Sequence, residues 1–413
     1  MEVKHIGIFG RRNAGKSSLI NALLGQDFAI VSDKPGTTTD PVKKRMEIFG
    51  VGPVQLIDTA GIDDCGDLGE QRVNKTLKVI GEVDMGLLLF TNNIFSKEEM
   101  DILVALKELD VPVCIVHNKS DLQALDADLA NDLNNKYNCD VIEFSCNLKG
   151  DEKKDAIDML EAFIIKGLMQ SAPERTILQG LVNKGDKVVL VCPIDSQAPS
   201  QRLILPQVMA IRDILDNAAV AVVLQPEQLP QYISENKDIN LVVTDSQIFK
   251  KVSDMVPSDI LLTSFSVLMA RMKGPFDDYL LGVKELDNLK DGDKVLILES
   301  CTHRSTCEDI GRVKIPAMIT KYVSALEGKD VKLNFDFIPG LDELPPKEIL
   351  ASYSLAVQCG GCMVTRRQLA NRVRMVKNAG VKVTNYGMAI ACVSGILKRA
   401  VEFLKNGDKQ QTV

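Results

Sequence analysis

Two rhythms alternate along the chain. Short apolar runs, His5-Ile6-Gly7-Ile8-Phe9, Val54-Gln55-Leu56-Ile57, Val113-Cys114-Ile115-Val116 and Val141-Ile142-Glu143-Phe144, read as buried strands. Between them the spacing turns helical. Residues 18–24 predict one helix, and residues 153–165 another, with Ile157, Leu160, Phe163 and Ile164 on one face. Strands and helices in turn predict an α/β fold with a doubly wound parallel sheet over residues 1–170. Ser171-Ala172-Pro173-Glu174 reads as a linker. A second alternating set follows at 175–260: strands at 187–191, 218–224 and 241–243 and a helix at 205–216, expected to form a small α/β unit for packing or self-association. The run 218–224 is expected in the core rather than at an exposed edge. A third α/β set at 262–413 has strands at 294–298, 331–335 and 353–357. Residues 388–404 predict an amphipathic helix through Ile390, Val393, Ile396, Leu397, Val401 and Leu404. No sequence repeat or low-complexity tract stands out.

Composition narrows this picture. A chain of 413 residues suggests two to four domains, and 45% apolar with 25% charged residues is ordinary for a globular protein. A net charge of −7 argues against non-specific nucleic-acid binding, so no nucleic-acid partner is expected. No uninterrupted apolar stretch is long enough for a membrane span, and the first residues enter a strand without a signal-peptide form. A cytoplasmic location is expected, and ten cysteines there are not expected to form structural disulfides.

The chemistry begins at Gly10-Arg11-Arg12-Asn13-Ala14-Gly15-Lys16-Ser17, a match to G-x-x-x-x-G-K-[ST] between a strand and a helix. In that context backbone N–H groups and the helix N-terminus cradle phosphates. Gly10, Asn13, Ala14, Gly15, Lys16, Ser17 and Ser18 are therefore candidate nucleotide contacts. Lys16 is expected to reach the β/γ-phosphates and Ser17 to ligate Mg²⁺. Asp58-Thr59-Ala60-Gly61 ends a strand; Asp58 can hold the Mg²⁺ shell and Gly61 can offer its N–H to the γ-phosphate. Thr38, in Pro35-Gly36-Thr37-Thr38-Thr39-Asp40, is expected to close on Mg²⁺ as part of a switch. Asn118-Lys119-Ser120-Asp121 ends another strand, and Asp121 can accept two hydrogen bonds from the guanine edge. Adenine lacks that donor pair, so discrimination of about 10⁴-fold or more is expected. Ser145-Cys146-Asn147 is the weakest motif and would support the base. Lys16, Thr38 and Gly61 are the expected catalytic residues of a GTPase.

A different chemistry sits in the third segment. Glu299-Ser300-Cys301-Thr302-His303 follows one predicted strand and Gln358-Cys359-Gly360-Gly361-Cys362 follows another. Sites in parallel sheets gather beyond the carboxyl ends of strands, so the two loops are expected to face one another. Cys301, His303, Cys359 and Cys362 can hold zinc as Cys₃His, or a [4Fe–4S] cluster through three thiolates and a weaker ligand; the C-x-x-C can also be a redox pair. On donor chemistry alone zinc ranks first.

Two resemblances sharpen these readings. The nucleotide motifs resemble the TrmE/Era-like GTPases of tRNA modification and ribosome assembly. By that resemblance Asn13 holds K⁺ in place of an arginine finger, and Ile62, apolar where a glutamine could orient water, implies slow intrinsic hydrolysis. Together with C-x-H and C-x-x-C, the full length resembles the HydF family of [FeFe]-hydrogenase maturation GTPases. That resemblance implies a GTP- and Mg²⁺-dependent homodimeric scaffold with a [4Fe–4S] cluster on Cys301, His303, Cys359 and Cys362, which reverses the zinc-first ranking. It further implies that two radical-SAM maturases supply a diiron precursor and that apo-[FeFe]-hydrogenase receives it. The alternative is a K⁺-dependent regulatory GTPase with a structural zinc domain.

Overall fold

The computed structural model describes residues 3–25, 42–62, 76, 79–169, 175–194, 203–300, 309–340 and 342–405. The chain forms two compact units, Met1–Pro173 and Glu174–Val413.

In the first unit the described elements run β1 (Lys4–Gly10), α1 (Lys16–Leu24), β2 (Val42–Ile48), β3 (Gly52–Asp58), β4 (Met85–Phe90), α2 (Lys97–Glu108), β5 (Val113–Asn118), α3 (Ala127–Tyr137), β6 (Val141–Phe144) and α4 (Gly150–Met169). They build a six-stranded sheet in the order β2-β3-β1-β4-β5-β6. All pairings are parallel except β2 with β3. The apolar runs are continuous because both faces are covered: Ile6 and Ile8 enter one core cluster, Phe9 the other. The antiparallel strand β2 was not anticipated. Its Lys43, Lys44 and Arg45 suit a charged sheet edge and mask the alternation of Met46 and Ile48.

Among the described residues, the second unit contains two four-stranded parallel sheets. The first takes β7 (Lys187–Val191), α5 (Leu205–Asp216), β8 (Val220–Leu224), α6 (Leu229–Glu235), β9 (Leu241–Thr244), α7 (Phe249–Met255), β10 (Leu261–Ser264) and α8 (Phe265–Lys273). After α9 (Phe276–Gly282), the second takes β11 (Lys294–Leu298), α10 (Ile315–Glu327), β12 (Asn334–Ile338), α11 (Lys347–Leu350), β13 (Leu355–Gln358), α12 (Arg366–Asn378), β14 (Lys382–Asn385) and α13 (Tyr386–Val393), with α14 (Leu397–Val401) behind it. One continuous apolar core joins both sheets. β10 falls across the 260–262 boundary and pairs with β9, so the first of these sheets runs past it.

Three expectations are corrected. The run 218–224 is an edge strand, not a core strand: β8 lies outermost, with Val220 and Val223 49% and 43% exposed. The strand expected at 331–335 lies at Asn334–Ile338, because Val331 and Leu333 are buried by the loop entering it. The helix expected at 388–404 breaks into α13 and α14 at Ser394-Gly395, two weak helix formers, with Gly395 at φ 73°.

A repeat is also present. The strand orders β10-β9-β7-β8 and β14-β13-β11-β12 are the same fourth-third-first-second arrangement. Each first strand opens with Gly-Asp-Lys-Val, at 185–188 and 292–295. Asp186 accepts from the Asn183 N–H at 2.7 Å, and Asp293 from the Lys290 N–H at 2.8 Å. Each fourth strand runs straight into a helix, at Thr263-Ser264-Phe265 and Thr384-Asn385-Tyr386. The halves also exchange contacts reciprocally: the Thr263 hydroxyl donates to the Ala400 carbonyl at 3.0 Å and the Thr384 hydroxyl to the Tyr279 carbonyl at 3.1 Å. Where α8 and α13 begin, Gly387 lies against Ser266, and a Cβ on Gly387 would stand 2.8 Å from the Ser266 Cβ. Among the described residues, no helix is long and apolar enough to cross a membrane.

Gly387→Val is expected to overpack this junction and destabilise the second unit by about 1–3 kcal/mol. Urea denaturation followed by a probe in that unit checks it.

Candidate functional site

The phosphate loop leaves β1 beside both β3 and β4, at the carboxyl end of the sheet. Lys16 is buried and folds back over the loop, donating to the carbonyls of Gly10 and Arg11, each at 2.8 Å. Gly15, at φ 93°, tolerates no side chain, since a Cβ there would lie 2.1 Å from the Asn118 amide nitrogen. That amide donates to the Ala14 carbonyl at 2.8 Å and ties the base-side motif to the loop. Asn13 holds a left-handed conformation, φ 60°, within the loop.

The Ser17 hydroxyl donates to Asp58 Oδ2 at 2.6 Å, while Asp58 Oδ1 is buried without a hydrogen-bond partner. Burial raises the Asp58 pKa, opposed by the Ser17 hydrogen bond and Lys16. An orphaned carboxylate oxygen beside a serine hydroxyl fits a divalent cation: Ser17 and Asp58 would hold Mg²⁺, which neutralises developing phosphate charge when bound. Gly61 follows β3 in the same loop system, and the next residue, Ile62, is buried and donates its N–H to the Gly10 carbonyl at 3.4 Å. Thr38 lies outside the described residues.

At the base side, Asp121 is held by two neighbours. The Asn147 amide donates to Oδ2 at 2.9 Å and the Ser145 hydroxyl to Oδ1 at 2.5 Å. These bonds lower the Asp121 pKa and keep it an acceptor. Lys119 adopts φ 62°, and the Ser120 N–H donates to the Phe144 carbonyl at 3.2 Å, joining the two motifs. Cys146 is a half-buried thiol whose pKa burial raises to about 11. The geometry thus brings together Gly10, Asn13, Ala14, Gly15, Lys16, Ser17 and Asp58 on the phosphate side and Asn118, Lys119, Asp121, Ser145 and Cys146 on the base side. Ser18 continues α1 behind the loop.

Sequence reasoning passed over Arg11. Its guanidinium meets Glu98 at 2.8 Å and Glu99 at 2.7 Å and also bonds the Ser96 hydroxyl. Glu99 is fully buried and closes a capping box with Ser96 at the start of α2. The S-x-x-E signature was readable; its pairing with a residue far back in the chain was not.

In the second unit β11 and β13 are parallel neighbours, with Leu298 opposite Gln358. The segments carrying Glu299-Ser300 and Cys359 therefore leave adjacent strands in one direction. The Cys359 N–H donates to the Leu298 carbonyl at 2.8 Å and the Gln358 amide to Ser300 Oγ at 3.1 Å. Cys301 and His303 lie outside the described residues. Cys359 and Cys362 are free, half-buried thiols on a turn through Gly361 at φ 73°. Burial and the neighbouring Cys359 raise the Cys362 pKa; Lys273 opposes them. Two buried cations were missed by sequence reasoning. Lys273 donates to the carbonyls of Gly361 and Val364 at 3.0 and 2.7 Å. Arg372 donates to the carbonyls of Glu299 and Ile338 at 2.5 and 3.0 Å and to that of Gly340. A thiol pair at C-x-x-C spacing between buried cations fits a thiolate-bound metal group of net negative charge.

Glu99→Ala should cost about 1–3 kcal/mol in the first unit through loss of the cap and the Arg11 pair, whereas Glu98→Gln, on an exposed partner, should change stability by less than about 0.5 kcal/mol. Denaturant unfolding of the two variants side by side checks it.

The sequence models of three families match consecutive stretches: 50S ribosome-binding GTPase over residues 5–119, hydrogen maturase F dimerization domain over 177–274 and hydrogen maturase F tetramerization domain over 277–403. Among curated relatives, the tRNA modification GTPase MnmE of Nitrosomonas europaea is 44% identical over 117 residues, 28% of this chain and 26% of the relative. MnmE of Aliarcobacter butzleri is 43% identical over 121 residues, 29% of this chain and 27% of the relative. The chain thus spans about a quarter of the length of these relatives. The two hydrogen maturase F models together take in more than half of the chain and both sheets of its second unit, behind a GTPase domain; the chain belongs to the hydrogen maturase F family.

Proposed function

We propose that the chain is a GTP-hydrolysing carrier for metallocluster assembly. It binds GTP with Mg²⁺ in residues 1–170, self-associates through residues 175–260 and holds a [4Fe–4S] cluster in residues 262–413. Cys301, Cys359 and Cys362 supply three thiolates and His303 the weaker ligand. Three thiolates leave one iron open to a second iron unit, which is the property a carrier needs. In this reading a diiron precursor comes from two radical-SAM maturases and passes to apo-[FeFe]-hydrogenase in the cytoplasm. The observation that carries the proposal is the pairing, in one chain, of a phosphate-loop site with a braced Asp121 and a thiol turn at the carboxyl end of β13. β8, outermost among the described strands and with Val220 and Val223 exposed, supports homodimerisation by strand pairing across that edge. A regulatory GTPase with a zinc-holding domain is the second reading, favoured by the tRNA-modification relatives of the GTPase domain. Iron and sulfide, rather than zinc, in anaerobically purified protein decide between them.

For the nucleotide, Lys16 offsets charge on the β/γ-phosphates, Ser17 and Thr38 hold Mg²⁺, Gly61 meets the γ-phosphate, and Asn13 holds K⁺ near the developing charge. Asp121→Asn is expected to move preference from guanine to xanthine nucleotides, and turnover of the native chain to be faster in K⁺ than in Na⁺. The lowered Asp121 pKa means its carboxylate stays ionised until the pH falls through that lower value. Selectivity for GTP over ATP should therefore be flat between about pH 5 and about pH 8. Competition binding and phosphate-release assays test all three; equal hydrolysis of ATP and GTP would refute the assignment.

For the cluster, Cys359→Ala or Cys362→Ala should remove most of the bound iron while GTP hydrolysis persists. Full activation of apo-hydrogenase by Cys359→Ala protein would overturn the carrier reading.

A further inference from the structure

We propose that Lys273 is a positioning residue for the Cys359–Cys362 turn, so that the thiol site is completed by α8, a helix of the preceding repeat. This rests on the reading that the turn holds an iron–sulfur cluster. Three observations carry it. The Lys273 ammonium is buried and bonds Gly361 O at 3.0 Å and Val364 O at 2.7 Å, the two ends of the segment containing Cys362. The floor beneath the turn is also α8: a Cβ on Gly360 would meet Met269 Cβ at 3.6 Å and Ser266 Oγ at 3.7 Å.

The third observation is internal to the repeat. The segment after β9, equivalent to the thiol turn, reads Asp245-Ser246-Gln247-Ile248, and α13 packs against it. The position equivalent to Lys273 in the second half is Ser394, the residue that caps the end of α13. The lysine stands only in the half whose partner turn carries thiols. Its charge has a reason there: a cubane on three thiolates is anionic, and a cation bonded to the turn's carbonyls both fixes the loop and favours the bound, more reduced state.

The test uses the full-length chain. Lys273→Met should leave GTP hydrolysis at the native level. In the metal-free protein, hydrogen exchange of amides 360–365 should quicken several-fold. After anaerobic reconstitution with ferrous iron and sulfide, iron per chain should fall at least two-fold, the reduction potential should move to more negative values, and the reduced-state paramagnetic spectrum should change. Lys273→Arg should recover part of each loss. If Lys273→Met does not fold, Lys273→Gln, which keeps a donor but not the charge, is read for the same exchange and potential changes. Unchanged exchange, iron content and potential would overturn the positioning role. Failure of the native chain to take up iron would instead overturn the cluster reading, while the exchange result would still decide whether Lys273 fixes the turn.

Discussion

Parallel strand pairing is the constraint on which both candidate sites depend. A parallel sheet sends all its strands out at one end, where backbone N–H groups and side chains of successive loops converge. Gly10, Asp58, Asn118 and Phe144 each close a strand of the first sheet, and the residues that follow them make up the candidate nucleotide site. Leu298 and Gln358 close adjacent strands of the third sheet, and the residues that follow those carry the thiol chemistry. No long-range search is needed to bring these groups together; the hydrogen-bond register does it.

Within that frame, burial and hydrogen bonding divide the acidic residues by task. Asp58 closes β3 and Asp121 follows β5, with β1 and β4 between those strands, and they have opposite tendencies. Burial raises the pKa of Asp58 and leaves one oxygen unpartnered, an arrangement that a bound cation relieves. Asp121 is open to solvent and braced by Asn147 and Ser145, which favour its charged form. These opposite tendencies fit the roles proposed for them, Asp58 toward a cation and Asp121 toward a neutral base edge.

Much of this was legible in the sequence because it depends on local pattern. The phosphate loop and the strand-end motifs carry residue types that few other contexts require. The C-x-x-C turn was legible for the same reason. The misses share a different cause. Edge strand β8 reads like a core strand because apolar periodicity reports what a residue prefers, not whether a neighbour arrives to cover it. Strand β2 hides its alternation under the charges that protect an edge. Arg11 with Glu99, and Lys273 with the Gly361 turn, are tertiary pairings between distant segments, and nothing in either segment names its partner. The repeat escaped because little identity remains beyond Gly-Asp-Lys-Val and the threonine at each fourth strand; what persists is strand order and the jobs those residues do.

The repeat explains how one unit can carry a thiol turn in one half and not in the other. Its two halves are bound to each other by reciprocal contacts, Thr263 with Ala400 and Thr384 with Tyr279, and meet where Gly387 rests on Ser266. Each half therefore lends a helix to the strand ends of the other: α8 lies under the thiol turn, and α13 under Asp245–Ile248. Once the scaffold is symmetric in this way, a difference of a few side chains suffices to make the halves chemically unequal. One turn received cysteines and a glycine at positive φ, and the helix beneath it a lysine; the other turn kept an aspartate that caps its own backbone at the Gln247 N–H. Without α8 the thiol turn loses both its floor and its buried cation, so the boundary between the two halves is part of the site rather than a seam beside it.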